Sequence, residues 1–326
     1  MAYASANYAI DVLTEDTIAG TVTDADETKI RLEGGEYTGT YRGSFSYDFY
    51  REEINGRLDT YEVTVRDEKW YSVENIDRDA NRFFNLLDSG DAVAVSRYVF
   101  NRDDMFEGSY QADRLFGFNG SDRINGHGGF DNLDGGKGLD LIRGGAGNDR
   151  IFGGSHSDRL FGEIGRDRLD GEGGSDIMSG GAGRDVMHGG GGEDRISGGK
   201  GNDLLSGDDG RDLLRGGAGN DRLFGGSDRD RLVGGTGDDR LEGGGGNDVF
   251  LFAGDFGNDR IVDFAHEMRG ERINLSDVGA IGSFRDLGRN HLFQDGDDVI
   301  IDDGKGNTIT LLDTNAADLQ ANDFVF

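Results

Sequence analysis

The feature that most constrains the fold of this chain is a nine-residue period between residues 108 and 251. One position of every period is an aspartate, with a glycine five residues before it and an apolar residue two residues after it. Three independent positions that keep one unbroken phase predict a regular stack of small units rather than a flexible linker. The sixteen aspartates are Asp113, Asp122, Asp131, Asp140, Asp149, Asp158, Asp167, Asp176, Asp185, Asp194, Asp203, Asp212, Asp221, Asp230, Asp239 and Asp248.

The residue types of the unit indicate a metal site. Glycines permit the positive φ angles of a sharp turn, but ordering such a loop costs about 1–2 kcal/mol per residue. The loop offers one carboxylate and its own carbonyl groups, so its stabiliser must be a hard cation. Calcium accepts 6–8 oxygen ligands, whereas magnesium demands octahedral geometry and keeps its waters. The pattern therefore predicts calcium as the cofactor and the sixteen aspartates as its ligands.

The unit Gly-Gly-x-Gly-x-Asp-x-apolar-x, as in Gly216–Leu223, resembles the repeat of RTX proteins. The resemblance implies an all-β fold in which two units make one turn of a parallel β-roll. Loops eighteen residues apart are then neighbours, and each ion lies between successive loops, held by two aspartates and by loop carbonyls. The last three residues of each unit are expected to form a short strand whose middle side chain points inward.

Some loops depart from the ideal unit. The second glycine is replaced at Ser109, Phe118, His127, Glu163, Glu172 and Asp208, and the third glycine, at the fourth position, at Gln111, His156 and Asp228. Aspartate and histidine tolerate positive φ poorly, so we expect weak sites near Gln111, His156, Glu163 and Asp228. The first loop, Gly108–Asp113, is expected to be a degenerate starting cap.

Composition narrows the function. The chain has 64 acidic and 34 basic residues, a formal charge of −30, and neither cysteine nor proline. This balance argues against nucleic acid as a partner, and disulfides and thiolate chemistry are excluded. Self-repulsion should keep the array unfolded until millimolar calcium is available, as it is outside a bacterial cell.

Both ends of the chain bear on its localisation. The first ten residues lack the basic and apolar regions of a cleaved secretory signal, and no apolar run is long enough to span a membrane. The last four residues, Asp323–Phe326, resemble the ending of proteins exported by type I secretion systems. We therefore expect an extracellular or cell-surface protein whose C-terminus is recognised by the type I secretion apparatus.

Residues 1–106 are expected to form a small β-rich domain. Alternation over Phe45–Phe49 and Leu58–Val65 predicts two strands joined by a hairpin turn at Asn55-Gly56, and Lys69–Val73 predicts a third. Helices are predicted from Asp77 and over Asp91–Phe100. The pattern resembles a domain that precedes RTX arrays in some secreted bacterial proteins. Its tyrosines favour core and cross-strand packing, and a glycan-binding platform is the alternative.

Residues 252–326 are expected to form a β-rich C-terminal cap. Alternating or apolar strands are predicted at four places and a helix over Ser283–Leu287. The four predicted strands are Phe256–Phe264, Glu271–Leu275, Asp297–Ile301 and Asn307–Leu312.

Arginine follows the repeat aspartate nine times, at Arg114, Arg123, Arg150, Arg159, Arg168, Arg195, Arg222, Arg231 and Arg240. These side chains should face outward, because they precede the buried position by one residue. We favour a solvated face that pairs with neighbouring acids, and a grip on an anionic polysaccharide is the alternative.

The motifs of common secreted enzymes are missing. No His-Glu-x-x-His, Gly-x-Ser-x-Gly or Gly-x4-Gly-Lys-Ser/Thr motif occurs, and all five histidines follow residue 106. A carboxylate pair acting on sugars stays open, because Asp48, Glu52, Glu53, Asp59 and Glu62 surround one hairpin.

The sequence thus predicts three parts: residues 1–106, an RTX β-roll at 107–251 and a cap at 252–326. We expect a secreted, non-enzymatic calcium-binding protein used as a structural or adhesive surface, matrix or filament component. Head-to-tail self-association would follow if the cap paired with the N-terminal domain of another copy. The alternative is a carbohydrate-binding or polysaccharide-acting protein whose activity lies in residues 1–106.

Overall fold

The computed structural model describes residues 103–108, 110–265 and 270–326 in full, together with the backbone of five strands before residue 75. The chain divides into two compact units, Met1–Ile142 and Arg143–Phe326. The predicted boundaries at residues 106 and 251 do not coincide with this division, and they stay predictions.

The first unit begins with an antiparallel sheet. Its strands are β1 (Ile10–Asp11), β2 (Thr28–Gly34), β3 (Tyr37–Asp48), β4 (Glu53–Val65), β5 (Glu68–Glu74) and β6 (Met105–Glu107). β1 pairs with β2 in parallel, and β2 to β6 then pair in chain order as an antiparallel meander. The predicted strand at Lys69–Val73 is confirmed as part of β5.

The predicted hairpin turn at Asn55-Gly56 is wrong. Both residues lie inside β4, where Asn55 pairs with Ser46 and Gly56 with Phe45. Pairing over most of β3, which ends at Asp48, with β4, which begins at Glu53, outweighs the local turn preference of this dipeptide. The helices predicted from Asp77 and over Asp91–Phe100 lie outside the described residues.

The first unit also contains the start of the repeat array. Its strands are β7 (Arg114–Phe116), β8 (Arg123–Asn125), β9 (Gly128–Gly129) and β10 (Asn132–Lys137). β6 pairs with β8 and β7 with β10, in parallel and with an offset of eighteen residues. Two nonapeptides therefore make one turn, as the resemblance implied.

The second unit continues the same arrangement. Strands of alternate repeats form two parallel sheets, and partners again lie eighteen residues apart, as for Arg222 with Arg240. The strands are β11 (Leu141–Gly147), β12 (Arg150–Ser155), β13 (Arg159–Ile164), β14 (Arg168–Gly173), β15 (Ile177–Ala182), β16 (Val186–Gly191), β17 (Arg195–Lys200), β18 (Leu204–Asp209), β19 (Leu213–Ala218), β20 (Arg222–Ser227), β21 (Arg231–Thr236), β22 (Arg240–Gly245) and β23 (Val249–Ala253).

The typical strand is six residues long, twice the predicted length. In β20 and β22 the first three residues pair, the glycine in fourth place does not, and the next two pair again. Each strand is thus two short ladders on either side of the first glycine of a repeat. The extra ladder forms because the left-handed second residue still presents its backbone groups to the neighbouring turn.

The apolar residue of each repeat forms the core. All sixteen of these side chains, from Leu115 to Phe250, are at most 3% exposed, and twelve have no exposed surface. Alternate members belong to opposite sheets, so the core of each unit's array is a narrow apolar column between the two sheets. Burying one such side chain contributes roughly 1.5–3 kcal/mol.

The C-terminal cap extends both sheets of the second unit. β25 adds to β23, and β29 adds to β25; β24 adds to β22 and is followed by β28, β27 and β26. The helix predicted at Ser283 is confirmed, with the Ser283 hydroxyl accepting a hydrogen bond from the Asp286 N–H at 3.2 Å. The cap elements are β24 (Asn258–Ile261), β25 (Arg272–Asp277), α1 (Phe284–Asp286), a π-helical turn (Leu287–His291), β26 (Leu292–Asp295), β27 (Asp298–Asp302), β28 (Thr308–Leu311), a 3-10 turn (Ala321–Asp323) and β29 (Phe324–Val325).

The predicted all-β class and parallel β-roll are confirmed. Helical residues in the described part are confined to the short elements of the cap. The helices found in this part are all too short to cross a membrane.

Candidate metal centre

The repeat aspartates stand in two columns, one at each edge of the coil. All sixteen are buried, with at most 6% of their surface exposed. Neighbours within a column are joined by a repeated hydrogen bond: the backbone N–H of one aspartate donates to Oδ1 of the aspartate eighteen residues later. Asp203 donates to Asp221 at 2.7 Å and Asp212 to Asp230 at 2.8 Å. The register thus brings the predicted ligands together in pairs.

The second carboxylate oxygen has a different environment. In the described structure Oδ2 is buried and has no hydrogen-bond partner at ten of these aspartates. Burying a carboxylate oxygen without a donor costs free energy, because its hydrogen bonds to water are lost and no protein hydrogen bond replaces them. A row of such oxygens indicates that cations bind beside them. The ten aspartates are Asp122, Asp167, Asp176, Asp185, Asp194, Asp203, Asp212, Asp221, Asp230 and Asp239.

The first glycine of each repeat leaves room for this oxygen. A methyl group built on Gly216 would overlap Oδ2 of Asp221 and also the carbonyl oxygen of Gly234 in the next turn. Both oxygens therefore approach the same bare α-carbon. The glycine is required by space, since its φ lies outside the left-handed region.

The second and fourth residues of the repeat are left-handed and direct carbonyl groups along the coil. Gly217 has a φ of 117° and Gly219 a φ of 124°. A methyl group on either would overlap the carbonyl oxygen of the residue eighteen positions earlier, Gly199 or Gly201. Carbonyl oxygens and carboxylates thus line the gap between turns, which is the donor set that calcium prefers.

Loops that lack a glycine keep this backbone. Phe118, His127, His156, Glu163, Glu172, Asp208 and Asp228 all have φ between 63° and 88°. The loops at Glu163 and Asp228 still bring Asp167 and Asp230 into the aspartate columns. The expectation of weak sites in these loops stays a prediction. Gln111, in the first loop, is not left-handed, as a degenerate cap would require.

Three of the replacements at the second position find a partner of opposite sign twenty residues earlier. His127 Nε2 lies 2.6 Å from Glu107 Oε2, Glu163 Oε1 lies 3.8 Å from Arg143 Nε, and Asp208 Oδ2 lies 3.5 Å from His188 Nδ1. These pairs are partly exposed, so each contributes at most about 1 kcal/mol.

Burial without a counter-charge raises the pKa of the column carboxyls. Desolvation is the main cause, and the backbone hydrogen bond from the preceding aspartate opposes it. The pKa of Asp122 is raised to about 8, those of Asp167, Asp212 and Asp221 to about 7, and that of Asp176 to about 6. Neighbouring column aspartates raise these pKa values further. The columns therefore favour either protons or cations.

Calcium fits the residues present. No cluster of three or more His, Cys, Asp or Glu side chains occurs in the described part, so a site built from side chains alone is excluded there. Each gap between turns instead combines aspartate oxygens with backbone carbonyls. Calcium accepts this mixture, whereas zinc selects nitrogen and sulfur ligands.

The columns include three acids that the sequence analysis missed. Asp104, Asp259 and Glu271 are each at most 5% exposed. The Asp104 N–H donates to Asp122 at 2.7 Å, Asp259 accepts from the Asp239 N–H at 2.8 Å, and β-pairing places Glu271 beside Asp248.

A sequence signal for Asp259 existed. Gly254, Gly257, Asp259 and Ile261 repeat the template, displaced by a two-residue insertion after Leu251. Oδ2 of Asp259 is also buried without a hydrogen-bond partner in the described structure, and burial raises its pKa to about 8. Asp259 therefore has the same environment as the repeat aspartates.

The arginines that follow the repeat aspartates face outward, as expected, and are exposed. In the described part few of them pair with an acid; Arg240 lies 3.5 Å from Glu242. The predicted solvated face is confirmed by this exposure, and the predicted pairing with neighbouring acids is seen in the described part at Arg240. The acids proposed for sugar chemistry, at residues 48–62, have no described side chains.

Comparisons with known proteins agree with this geometry. Residues 98–261 match the RTX calcium-binding nonapeptide repeat family in five consecutive segments: 98–133, 128–155, 152–187, 188–223 and 224–261. The comparison with curated proteins gives no match.

Two solved structures are similar over part of the chain. The extracellular lipase LipA from Serratia marcescens is 21% identical over 58% of this chain and 40% of its own, with a TM-score of 0.30. The AlgE6R3 subunit of the Azotobacter vinelandii mannuronan C5-epimerase is 29% identical over 45% of this chain and 80% of its own, with a TM-score of 0.28. This chain thus spans less than half of the lipase. Since the family match covers half of the sequence, the chain belongs to the RTX calcium-binding nonapeptide repeat family.

Proposed function

We propose that the sixteen repeat aspartates, with Asp259 as an additional member, bind calcium ions between successive turns of the coil. The observation that carries this proposal is the row of buried Oδ2 atoms without hydrogen-bond partners. At Asp221 this oxygen lies beside a carbonyl of the next turn, that of Gly234, so an ion there would be shared by two turns. When bound, calcium supplies positive charge and cross-links one turn to the next.

Calcium binding then drives folding. The folded array buries ten carboxylates whose Oδ2 atoms have no hydrogen-bond partner in the described structure, so its stability depends on the ion. The formal charge of −30 adds repulsion in the absence of calcium. Such a chain stays unfolded where calcium is scarce and folds where it is plentiful, which supports export and an extracellular or cell-surface location.

The export route we propose is the type I secretion apparatus, recognising the C-terminal region. Family membership supports it, and so does a fold that is locked by metal in place of disulfides. Asp323 and Phe324 are buried, and β29 pairs with β25. The proposed signal would therefore be read before the cap folds.

Once folded, the protein serves a non-enzymatic structural or adhesive role, as part of a surface, matrix or filament. The regular array of the second unit supports this, since its repeat residues serve packing and the proposed metal ligation. Head-to-tail self-association belongs to the same proposal. The alternative is an activity on carbohydrate in residues 1–106, and turnover or glycan binding by that segment would favour it.

A calcium titration of the purified chain tests the proposal, with circular dichroism and light scattering recorded together. We expect strand signal to rise cooperatively with calcium, and particle size to rise with it if the coil assembles. A strand signal that is complete in chelator would overturn calcium-driven folding. Folding into a stable monomer would reject self-assembly alone.

A further inference from the structure

A groove of about 820 Å³ runs along one edge of the array in the second unit and ends in the cap. Two columns of side chains line it: one stands on five successive strands, and the other lies two residues earlier in the chain at each of them. We call this feature the arginine groove. One column is Leu204, Arg222, Arg240, Arg260 and Thr310; the other is Asn202, Asn220, Asp238, Asn258 and Thr308, with Arg184 one turn earlier.

The arginines of the groove are free to bind a ligand. Arg222, Arg240 and Arg260 are exposed and stand side by side on adjacent strands. Among the described residues only Arg240 of the three makes an ion pair, at 3.5 Å from Glu242. Unpaired arginines are unexpected in a chain of charge −30, because acids are available at most positions.

The opposite sheet shows that this arrangement is specific to the groove. There the corresponding column alternates, so that Arg195 and Arg231 are separated by Leu213. Three consecutive arginines therefore do not follow from the repeat itself. They arise where β24 of the cap continues the array.

The second column is oriented by its own hydrogen bonds. Oδ1 of Asn202 accepts from the Asn220 N–H at 3.1 Å, and Oδ1 of Asn220 accepts from the Asp238 N–H at 3.2 Å. Because these oxygens are occupied, the side-chain NH₂ groups of both asparagines face away from the ladder as donors. At the cap end the Thr308 hydroxyl donates to Oδ1 of Asn258 at 2.9 Å.

The groove thus offers mainly donors, spread along a line. Guanidinium groups bind carboxylates in bidentate fashion, and amide NH₂ groups donate to carboxylate or hydroxyl oxygens. The five strands span about 19 Å at the usual strand spacing, with one arginine per strand at three of them. The distance between arginines on adjacent strands is close to the length of one sugar ring along a polysaccharide chain.

We propose that the arginine groove binds an extended polyuronate, a polysaccharide with a carboxylate on each sugar. A nucleic acid is disfavoured, because the surrounding acidic surface repels a denser polyanion. The exposed Asp238 and the threonines of β28 suit sugar hydroxyls. The site lies in the array and cap rather than in residues 1–106.

This inference rests on the proposed calcium binding, since the columns exist only when the array is folded. Asp203, Asp221 and Asp239 also line the groove, and the calcium ions proposed above would neutralise them. Binding should therefore require calcium and weaken as salt screens the arginines.

The test is calorimetric titration of the full chain with an oligouronate about as long as the groove, at constant free calcium. The same oligosaccharide with its carboxylates reduced to alcohols is the neutral control. We expect the charged oligomer to bind and the neutral one to bind at least about tenfold more weakly, as loss of charge-assisted hydrogen bonds requires.

Variants localise the site. Arg222→Gln/Arg260→Gln should weaken binding about tenfold or more, and Arg195→Gln/Arg231→Gln, with the same change of charge on the other sheet, should leave it unchanged. Circular dichroism and calcium content separate this proposal from the one on which it rests. A folded, calcium-loaded chain that ignores the oligouronate would overturn the groove proposal alone.

Two further outcomes would also overturn it. One is equal loss of binding in both double variants, which would mean a diffuse charge effect. The other is tighter binding of single-stranded nucleic acid or a sulfated polysaccharide, which would assign the groove to another polyanion.

Discussion

The array and the cap of the second unit differ in how many hydrogen bonds their buried carboxylates accept. In the array, Asp221 accepts one hydrogen bond through Oδ1, from the Asp203 N–H, and none in the described structure through Oδ2, and burial raises its pKa to about 7. In the cap, Asp303 accepts from the N–H groups of Lys305 and Asn307 and from the Asn307 side chain.

As a consequence, the pKa values of Asp221 and Asp303 are shifted in opposite directions. Burial favours the neutral form of Asp303, but its hydrogen bonds outweigh burial and hold its pKa below the usual value. The cap also contains a broader apolar core. In it, Phe252 and Phe256 pack edge to face with ring centroids 5.3 Å apart. In the cap, protein groups therefore supply the hydrogen bonds of the buried Asp303, whereas in the array the buried carboxylates need a cation.

The largest expected effect is that of calcium removal. Chelation should abolish amide protection throughout residues 143–251, because the column carboxylates lose their counter-charge. The hairpins of β26, β27 and β28 should lose less. Hydrogen exchange read by mass spectrometry checks this segment by segment. Equal loss of protection in both regions would show that the cap has no stability of its own.

The next effect is that of pH without calcium. The pKa values of Asp122, Asp221 and Asp176 are raised from the usual 3.8 to about 8, 7 and 6, so the folded array binds more protons than the unfolded chain in this range. Its stability should fall as pH rises from about 4 to about 8. For Asp303 the sign is reversed, and its contribution is lost as pH falls.

Circular dichroism of the calcium-free chain between pH 4 and pH 8 measures the sum of both. Strand content that increases toward acid pH is expected, since the array carboxyls outnumber the others. Strand content that increases toward pH 8 would contradict the role assigned to the columns.

Single substitutions sharpen the comparison. Asp221→Asn should raise the calcium midpoint of folding several-fold and lower the number of bound ions, because an amide is a weaker ligand. Asp303→Asn should destabilise the cap by about 1–3 kcal/mol at any calcium level, since it breaks a buried hydrogen-bond network.

Urea unfolding at saturating and at limiting calcium distinguishes the two variants. The effect of Asp221→Asn should depend on calcium, and that of Asp303→Asn should not. The comparison fails if both variants respond alike.

The smallest effect concerns left-handed residues. Asp228 in the array has a φ of 74° and Asp313 in the cap a φ of 51°. Replacing either by glycine relieves about 1 kcal/mol of strain, and the entropy of the unfolded chain returns part of it. We expect Asp228→Gly and Asp313→Gly each to change stability by between zero and about +1 kcal/mol, measured by urea unfolding in saturating calcium.

The contrast also explains what the sequence could predict. The spacing of Asp113 to Asp248 predicted the columns, because a translational repeat converts sequence spacing directly into spatial contact. Asp259 was missed because two inserted residues, with a buried Phe252, shift the phase where the cap begins. Glu271 and Asp104 lack the glycine pattern, so only pairing of distant strands reveals them.

Local signals failed where tertiary pairing dominates. Asn55-Gly56 has the composition of a turn but lies within β4, opposite Phe45 and Ser46. The arginine groove was likewise not foreseen, because Arg260 and Thr310 join the column through strand order in the cap. Neither partner is at a repeat spacing.

The offset of eighteen residues between partners sets the increments in which this molecule can change its length. A duplication or deletion of eighteen residues inserts or removes one full turn and leaves every neighbour of the same kind. A change of nine would exchange the two sheets beneath the cap, so that β24 and β25 would each meet the wrong edge. Evolution or design can therefore change the number of turns in steps of eighteen residues, and the length of the array can vary without a new fold.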